Sequence, residues 1–485
     1  MLFGSGLERI LDYRADPSQL LPSVQDYRES NVTGVNRKNL AEVNERVAYL
    51  NQHPESKIYP YSYDTTRDYL YDFNHTISKR DIVQVVNNRI DLKDIDIDEE
   101  STVLLKIRVE TTATGEYFEP EISARSDGKT CTHTFEPRAK GIRYLNLSSL
   151  ELRRGQTIEL KGKYLGIPDQ SSELILFKNS DLGKKRILVI APHPDDAEIA
   201  AYGLYSRYHD NVYIVTITAG EAGPHRYYDR LFSSRKEQYL EKGRVRTFDS
   251  LTVSLLGNVP FEHNINLGFF DGTLKKMYQD KARDVKGLYT DTSDISTFRK
   301  QNGSPLAKGL TGGSNWNALV TNLAYLIKTI RPEIIVTPYS ALDWHTDHKY
   351  STAAVTEALM QLRIKKGQLF LYTNHLPASE YYPFGKEGQP VTLPPEYVKT
   401  LYFDRIYSHQ VSRKDQGRKA IALDKMSDIM LDKKWSHFWN ICEGRIPFVC
   451  QDLSYIRRAV RSNELFFVVD IKNIYNRKIL ETILN

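Results

Sequence analysis

Cysteine is scarce in this chain: Cys131, Cys442 and Cys450 are the three among 485 residues. An odd, widely spaced set matches neither a disulfide framework nor a zinc knuckle, so the thiols are expected to be reduced and structural. Long apolar runs are also missing, and no stretch approaches the roughly 20 residues needed to cross a bilayer. The first residues, Met1-Leu2-Phe3-Gly4-Ser5-Gly6-Leu7-Glu8-Arg9, lack a basic start followed by an apolar core, so a cytoplasmic protein is expected. Charge of one sign is equally sparse. The 66 Lys and Arg nearly balance the 61 Asp and Glu, leaving +5, and the signs alternate along most of the chain. Nucleic-acid binding gains little from such a balance. No Gly-x-Gly-x-x-Gly follows an apolar strand, which disfavours a nucleotide-binding Rossmann enzyme, and no fixed-period repeat occurs.

What is present describes a globular protein: 40% hydrophobic and 26% charged residues, in a chain long enough for two or three cores. Residues 1–75 read as a helical or irregular segment, with Leu40, Val43, Val47 and Leu50 at helical spacing. Residues 76–180 change to period two, beginning with Val103, Leu105, Ile107 and Val109. Further strands are expected over 117–125, 130–136, 142–148, 156–163 and 173–178, punctuated by Ser126-Asp127-Gly128 and Arg153-Arg154-Gly155. This spacing predicts an all-β sandwich, either carbohydrate-binding or a packing module, with 179–185 as its linker. From 184 to 470 strands alternate with helices, which predicts a Rossmann-like α/β domain with a mainly parallel sheet; 471–485 is a tail. Residues 275–315 are polar and rich in breakers, and are expected to form a lid facing a rim of His225, Tyr227 and Tyr228. The chain has 31 Tyr, available as core filler or as sugar-stacking faces.

The most informative residues are His193-Pro194-Asp195-Asp196, directly after the apolar run Arg186-Ile187-Leu188-Val189-Ile190. A buried parallel strand reads as such a run, and its carboxyl end is where open α/β sheets place their chemistry. His193 and Asp196, three apart, can bend around one cation while Asp195 faces a water; the alternative is a helix cap. A second cluster, Asp343-Trp344-His345-Thr346-Asp347-His348, follows a second apolar run, Glu333-Ile334-Ile335-Val336-Thr337-Pro338. His348 would complete a three-ligand site with an open position for water, whereas a cap carrying surface histidines is the bland reading.

Together these turns resemble the PIG-L/LmbE family of zinc-dependent N-deacetylases, marked by His-Pro-Asp-Asp and a later His-x-Asp-His. The resemblance runs from about 184 to about 467 and touches 218–223, 235–237, 267–272 and 464–466. It implies Zn²⁺ held by His193, Asp196 and His348, and Asp195 as the general base. It also implies that His345 stabilises the oxyanion or protonates the leaving amine, and that Asp347 tunes the neighbouring histidines. Arg235 and Asp271 would contact sugar hydroxyls, or else form a helix-surface pair and a turn. Two departures bear on pocket shape: Tyr202 and Gly203 stand where relatives often have paired glycines, and Thr346 replaces a common proline.

The expected activity is removal of an N-acetyl group from an amino sugar of a glycan, nucleotide sugar or lipid-linked glycoconjugate. The alternatives are a zinc amidase acting on a non-sugar or thiol-conjugate amide, and a non-catalytic glycan-binding protein. Lys433, Lys434, Arg457, Arg458, Arg461, Lys472, Arg477 and Lys478 make the C-terminal stretch basic, either as a solvated face or as a peripheral contact with an anionic membrane bearing a lipid-linked substrate. An oligomer is compatible with this reading. His53, His75, His133, His209, His263, His375, His409 and His437 are read as structural.

Overall fold

The computed structural model describes residues 63–429 and 454–485, apart from 99, 117, 224–231, 233, 377–378, 380 and 399. The stripe expected over 36–52 and the expected rim of His225, Tyr227 and Tyr228 lie outside the described residues, as do Lys433 and Lys434.

The first half folds as two antiparallel sheets. One contains β1 (Lys79–Val85), β3 (Thr102–Thr111), β6 (Lys140–Asn146), β8 (Leu165–Gly166) and β9 (Gln170–Phe177). The other orders β2 (Arg89–Asp91), β7 (Thr157–Lys163), β4 (Glu121–Ser126) and β5 (Lys129–Thr134). Period-two alternation makes the core between them: Val103, Leu105, Ile107 and Val109 of β3 meet Ile122 of β4 and Ile158 and Leu160 of β7 in one apolar cluster. Leu104 faces the other way, into a cluster shared with the second half. Tyr71, Phe73, Tyr144 and Phe177 there pack with Phe403 and Phe467. Arg143 and Glu136, both fully buried, form an ion pair of 3.5 Å. Arg143 donates to the carbonyls of Thr65 and Arg67, and the Tyr69 hydroxyl donates to Glu136, which fastens the segment before β1 to the sheets.

The second half contains a seven-stranded sheet ordered β12 (Asn264–Phe269), β11 (Val212–Thr218), β10 (Ile187–Ala191), β13 (Ile334–Pro338), β14 (Gln368–Tyr372), β16 (Asn463–Asp470) and β15 (Arg405–Gln410). The first five strands pair in parallel, and β16 and β15 are antiparallel additions. β10 and β13 are buried at every position, because each face of the sheet is covered. Leu188, Ile190 and Ile335 enter one apolar cluster; Ile187, Val189, Ile334 and Val336 enter the other. The second face is covered by α1 (Asp196–Arg207). Helix α2 (Arg235–Thr252) starts at Ser234, whose hydroxyl accepts from the Glu237 amide. Helices α3 (Trp316–Ile330) and α4 (Thr346–Gln361) cover the first face. The order reverses at β10 and β13: β11 and β12 lie on one side, β14 on the other. A crevice for ligands opens at such a switch point, beyond the strands' carboxyl ends.

Two expectations need correction. The polar 275–315 segment is not a bare loop: it contains short helices Leu274–Gln279 and Ser296–Arg299, and Val285, Ile295 and Phe298 are buried in the core. Its polar residues hid these few apolar anchors. Nor do the C-terminal cations form one basic face. Lys472, Arg477 and Lys478 are exposed, but Arg457, Arg458 and Arg461 are buried, with their guanidinium groups bonded to backbone carbonyls. Among the described residues no helix is long and apolar enough to cross a membrane.

Candidate metal centre

Five adjacent parallel strands deliver their following residues to one place: His193 to Asp196 after β10, Glu221 after β11, Asp271 after β12, Asp343 to His348 after β13, and Asn374 and His375 after β14. His193 Nδ1 and Asp196 Oδ2 are 3.2 Å apart, Asp196 Oδ2 and His348 Nε2 are 3.1 Å, and His348 Nε2 and His193 Nδ1 are 3.3 Å. A tetrahedral zinc with ligands at 2.0–2.1 Å separates neighbouring donor atoms by ~3.3 Å. The triangle therefore has the dimensions of three ligands of one small cation.

The donor set agrees with that fit. Asp196 and Asp343 raise His348 to about 10 despite burial, and Asp271 with Asp196 likewise raises His193. Protons on the imidazoles balance carboxylates that a divalent cation would balance instead.

Each corner of the triangle is held from behind. Asp343 Oδ2 lies 2.9 Å from His348 Nδ1 and accepts the amides of Asn374 (3.0 Å) and His375 (3.3 Å). That fixes the His348 ring so that Nε2 faces the triangle. Asp271 Oδ1 and Asp347 Oδ2 sit 3.1 and 3.4 Å from His193 Nε2. Asp347 also accepts the amides of Gly272 (2.7 Å) and Leu274 (3.3 Å), so it fastens the β12 turn to the site. The Asn374 side chain donates to Asp196 Oδ1 at 2.7 Å.

Asp195 stands beside the triangle with φ of 121°, a backbone state that non-glycine residues rarely adopt. Arg246 on α2 holds it there: Nη2 donates to Asp195 Oδ2 (2.9 Å) and the Pro194 carbonyl (2.7 Å), while Nη1 donates to the Gly220 carbonyl (2.6 Å). Gly220 is needed for this approach, since a Cβ at its φ of 62° would lie 2.5 Å from Arg246 Nη1. Burial pushes the Asp195 carboxyl up to about 7, against the pull of Arg246. His345 is pushed well below the usual imidazole range by burial and then by the other histidines. Its Nδ1 is buried without a hydrogen-bond partner among the described residues.

Residues 188–359 match the family model described as PIG-L: GlcNAc-PI de-N-acetylase. Over this segment the chain is similar to the PIG-L de-N-acetylases. No curated protein matches the chain. Among solved structures, the A40926 pseudoaglycone deacetylase Dbv21 is 17% identical with a TM-score of 0.32, covering 59% of this chain and 98% of that one. The zinc-inhibited form of teicoplanin deacetylase Orf2 is 19% identical with a TM-score of 0.29, covering 51% and 85%. The conserved protein TT1542 from Thermus thermophilus is 17% identical with a TM-score of 0.27, covering 52% and 89%.

Not every expected site residue converges. Asp271, expected to contact sugar hydroxyls, does converge, with Oδ1 3.1 Å from His193 Nε2. Arg235 lies over the rings of Tyr239 and Tyr289, at 5.6 and 4.6 Å, outside the set of residues around the triangle. Sequence reasoning passed over Arg246, which nothing in α2 distinguishes from other surface cations. Asp343 was readable: an acid five residues before His348 at the same strand end. His375, read as structural, brings a ligating atom within 4.8 Å of those of Asp196 and His348. Its position after the apolar run of β14 was the available signal.

Proposed function

We propose that this protein uses Zn²⁺ to hydrolyse the N-acetyl amide of an amino sugar carried on a glycan, nucleotide sugar or lipid-linked glycoconjugate. The observation that carries the reading is the His193, Asp196 and His348 triangle with Asp195 beside it. A bound zinc supplies Lewis acidity toward the acyl oxygen and acidifies water. Asp195, with a carboxyl near 7, takes the proton from the attacking water and passes it toward the leaving amine. His345, kept neutral, offers an N–H to the developing oxyanion; its depressed basicity favours that role over proton donation by an imidazolium. Asp343 and Asp347 orient the histidines, Arg246 orients Asp195, and Asp271 serves His193. Glycan or glycoconjugate synthesis is the setting in which such an amine would be needed.

The test is acetate release from N-acetylhexosamines, nucleotide sugars and short N-acetylated glycans by zinc-loaded and chelated protein. Zinc-dependent release is expected, and Asp195→Asn should lose at least about a hundredfold in kcat while retaining the metal. Bound zinc with no release from any substrate would overturn the reading, and unchanged Asp195→Asn turnover would remove Asp195 from its role.

A further inference from the structure

Behind the metal triangle, around the first turns of α1, lies a second cavity of about 70 Å³. Its wall includes Ala200, Asn374, Tyr382, Arg458, Arg461 and Asn463. At roughly 10–15 Å³ per ordered water this is room for about five to seven waters, enough for a molecule of four or five heavy atoms.

The cavity is cationic at its wall. Arg461 is 2% exposed, and among the described residues its guanidinium bonds only backbone carbonyls: Phe384, Gly385 and Arg457. Its Nε is buried with no partner among the described residues. The nearby carboxylates are committed elsewhere. Glu464, which lines the cavity together with Lys419, binds Lys419 Nζ at 2.8 Å and accepts the amides of Gly203 and Leu204 at 2.7 and 2.9 Å. Glu119 is bonded by Tyr381, and burial raises its carboxyl against the charges of Arg457 and Arg461. Burial and then the Arg457 charge bring the Arg461 guanidinium down to about 9, against the pull of Tyr381, Tyr382 and Glu387.

Asn374 connects this cavity to the metal centre. Its side chain donates to Asp196 Oδ1 at 2.7 Å, and its carbonyl accepts from Arg458. We infer that this is a binding site for a small carboxylate, and that it receives the acetate released at the triangle. The assignment of acetate rests on the deacetylase reading: water adds to the acyl carbon, the C–N bond breaks, the amine takes the proton, and the acid departs as a carboxylate. A guanidinium meets a carboxylate with matching planar geometry, and the size of the cavity selects acetate over longer acids.

The test is calorimetric titration of sodium acetate into the full chain, zinc-loaded and metal-free, with butyrate as the size control. Acetate should bind in both states and butyrate at least tenfold more weakly. Arg461→Met should weaken acetate at least tenfold. Because that variant also frees three carbonyls, Ala200→Leu, which fills the cavity and leaves the guanidinium in place, should give the same loss with an unchanged circular-dichroism spectrum. Absence of acetate binding, or equal affinity in the wild type and Ala200→Leu, would overturn the inference. The outcomes separate the two readings: hydrolysis without acetate binding sinks the cavity assignment alone. Cavity-dependent acetate binding by a protein that hydrolyses none of the amides leaves the binding site standing and sinks the deacetylase reading.

Discussion

Replacing Arg246 with methionine is the sharpest probe of the base. Its guanidinium contacts Asp195 Oδ2 at 2.9 Å and also faces Asp428 Oδ2 at 3.0 Å. Burial is the largest influence on the Asp195 carboxyl and raises it; Arg246 is the largest that lowers it. Loss of a cation in contact with a carboxylate raises its pKa by ~1–3 units, equivalent to ~1.4–4 kcal/mol. At pH values below the wild-type acidic limb the ionised fraction, and with it kcat/KM for acetate release, should fall between roughly tenfold and a thousandfold. A zinc ion lowers the carboxyl in wild type and variant alike, so the displacement of the acidic limb of the pH–rate profile is the observable. That limb should move ~1–3 units to higher pH, with activity regained at alkaline pH. Removing the cation also leaves the buried Asp195 carboxylate without its partner, at a cost of ~3–5 kcal/mol, whereas Asp428 keeps Lys242 at 3.3 Å, so melting curves must accompany the kinetics. Arg246→Lys keeps the charge and should keep the limb close to its wild-type position. A uniform loss at every pH with the limb unmoved would refute the argument that Asp195 must be ionised for turnover.

Three further outcomes are expected. Asp343→Asn should weaken zinc ~10–100-fold in competition with a chelator while the fold persists, and unchanged affinity would show that the carboxylate does not set the His348 ring. Gly220→Ala must move Arg246 from a 2.5 Å contact and hold alanine at a φ of 62°, so thermal unfolding should report a loss of ~1–3 kcal/mol. His133 is buried and pushed down to about 4 by desolvation, so the fold keeps its imidazole neutral. The stability this contributes, ~3 kcal/mol, is complete above the ordinary value of 6.5 and drains away as pH falls through 6.5 toward 4. His133→Gln should therefore lose less stability than wild type over that range in denaturant titrations, and parallel acid profiles would contradict the assignment.

His193, Asp195, Asp196 and His348 were legible because each lies in a short turn beside a continuous apolar run, so local pattern alone places it at a strand end. Strand β3 was readable in the same way, since alternation of Val103, Leu105, Ile107 and Val109 is a local signal of a half-buried strand. Strands β1 and β2, with few alternating apolar residues, were not. Polarity over 275–315 concealed Phe298, because isolated apolar anchors among breakers have no period.

What the chain by itself determined is the placement of His193, Asp195, Asp196 and His348 in two turns, each directly after an apolar strand. Their meeting was decided by the order of β10 and β13 in the sheet, which sets His193 and His348, 155 residues apart in the sequence, side by side. Only the tertiary structure brought Arg246 to Asp195, Asp271 to His193 and Asn374 to Asp196. It alone turned Arg461 from a surface charge into a buried cation lining a cavity. Those partners come from different strands and helices, and neither spacing nor periodicity encodes a contact whose geometry exists only after the sheet has formed.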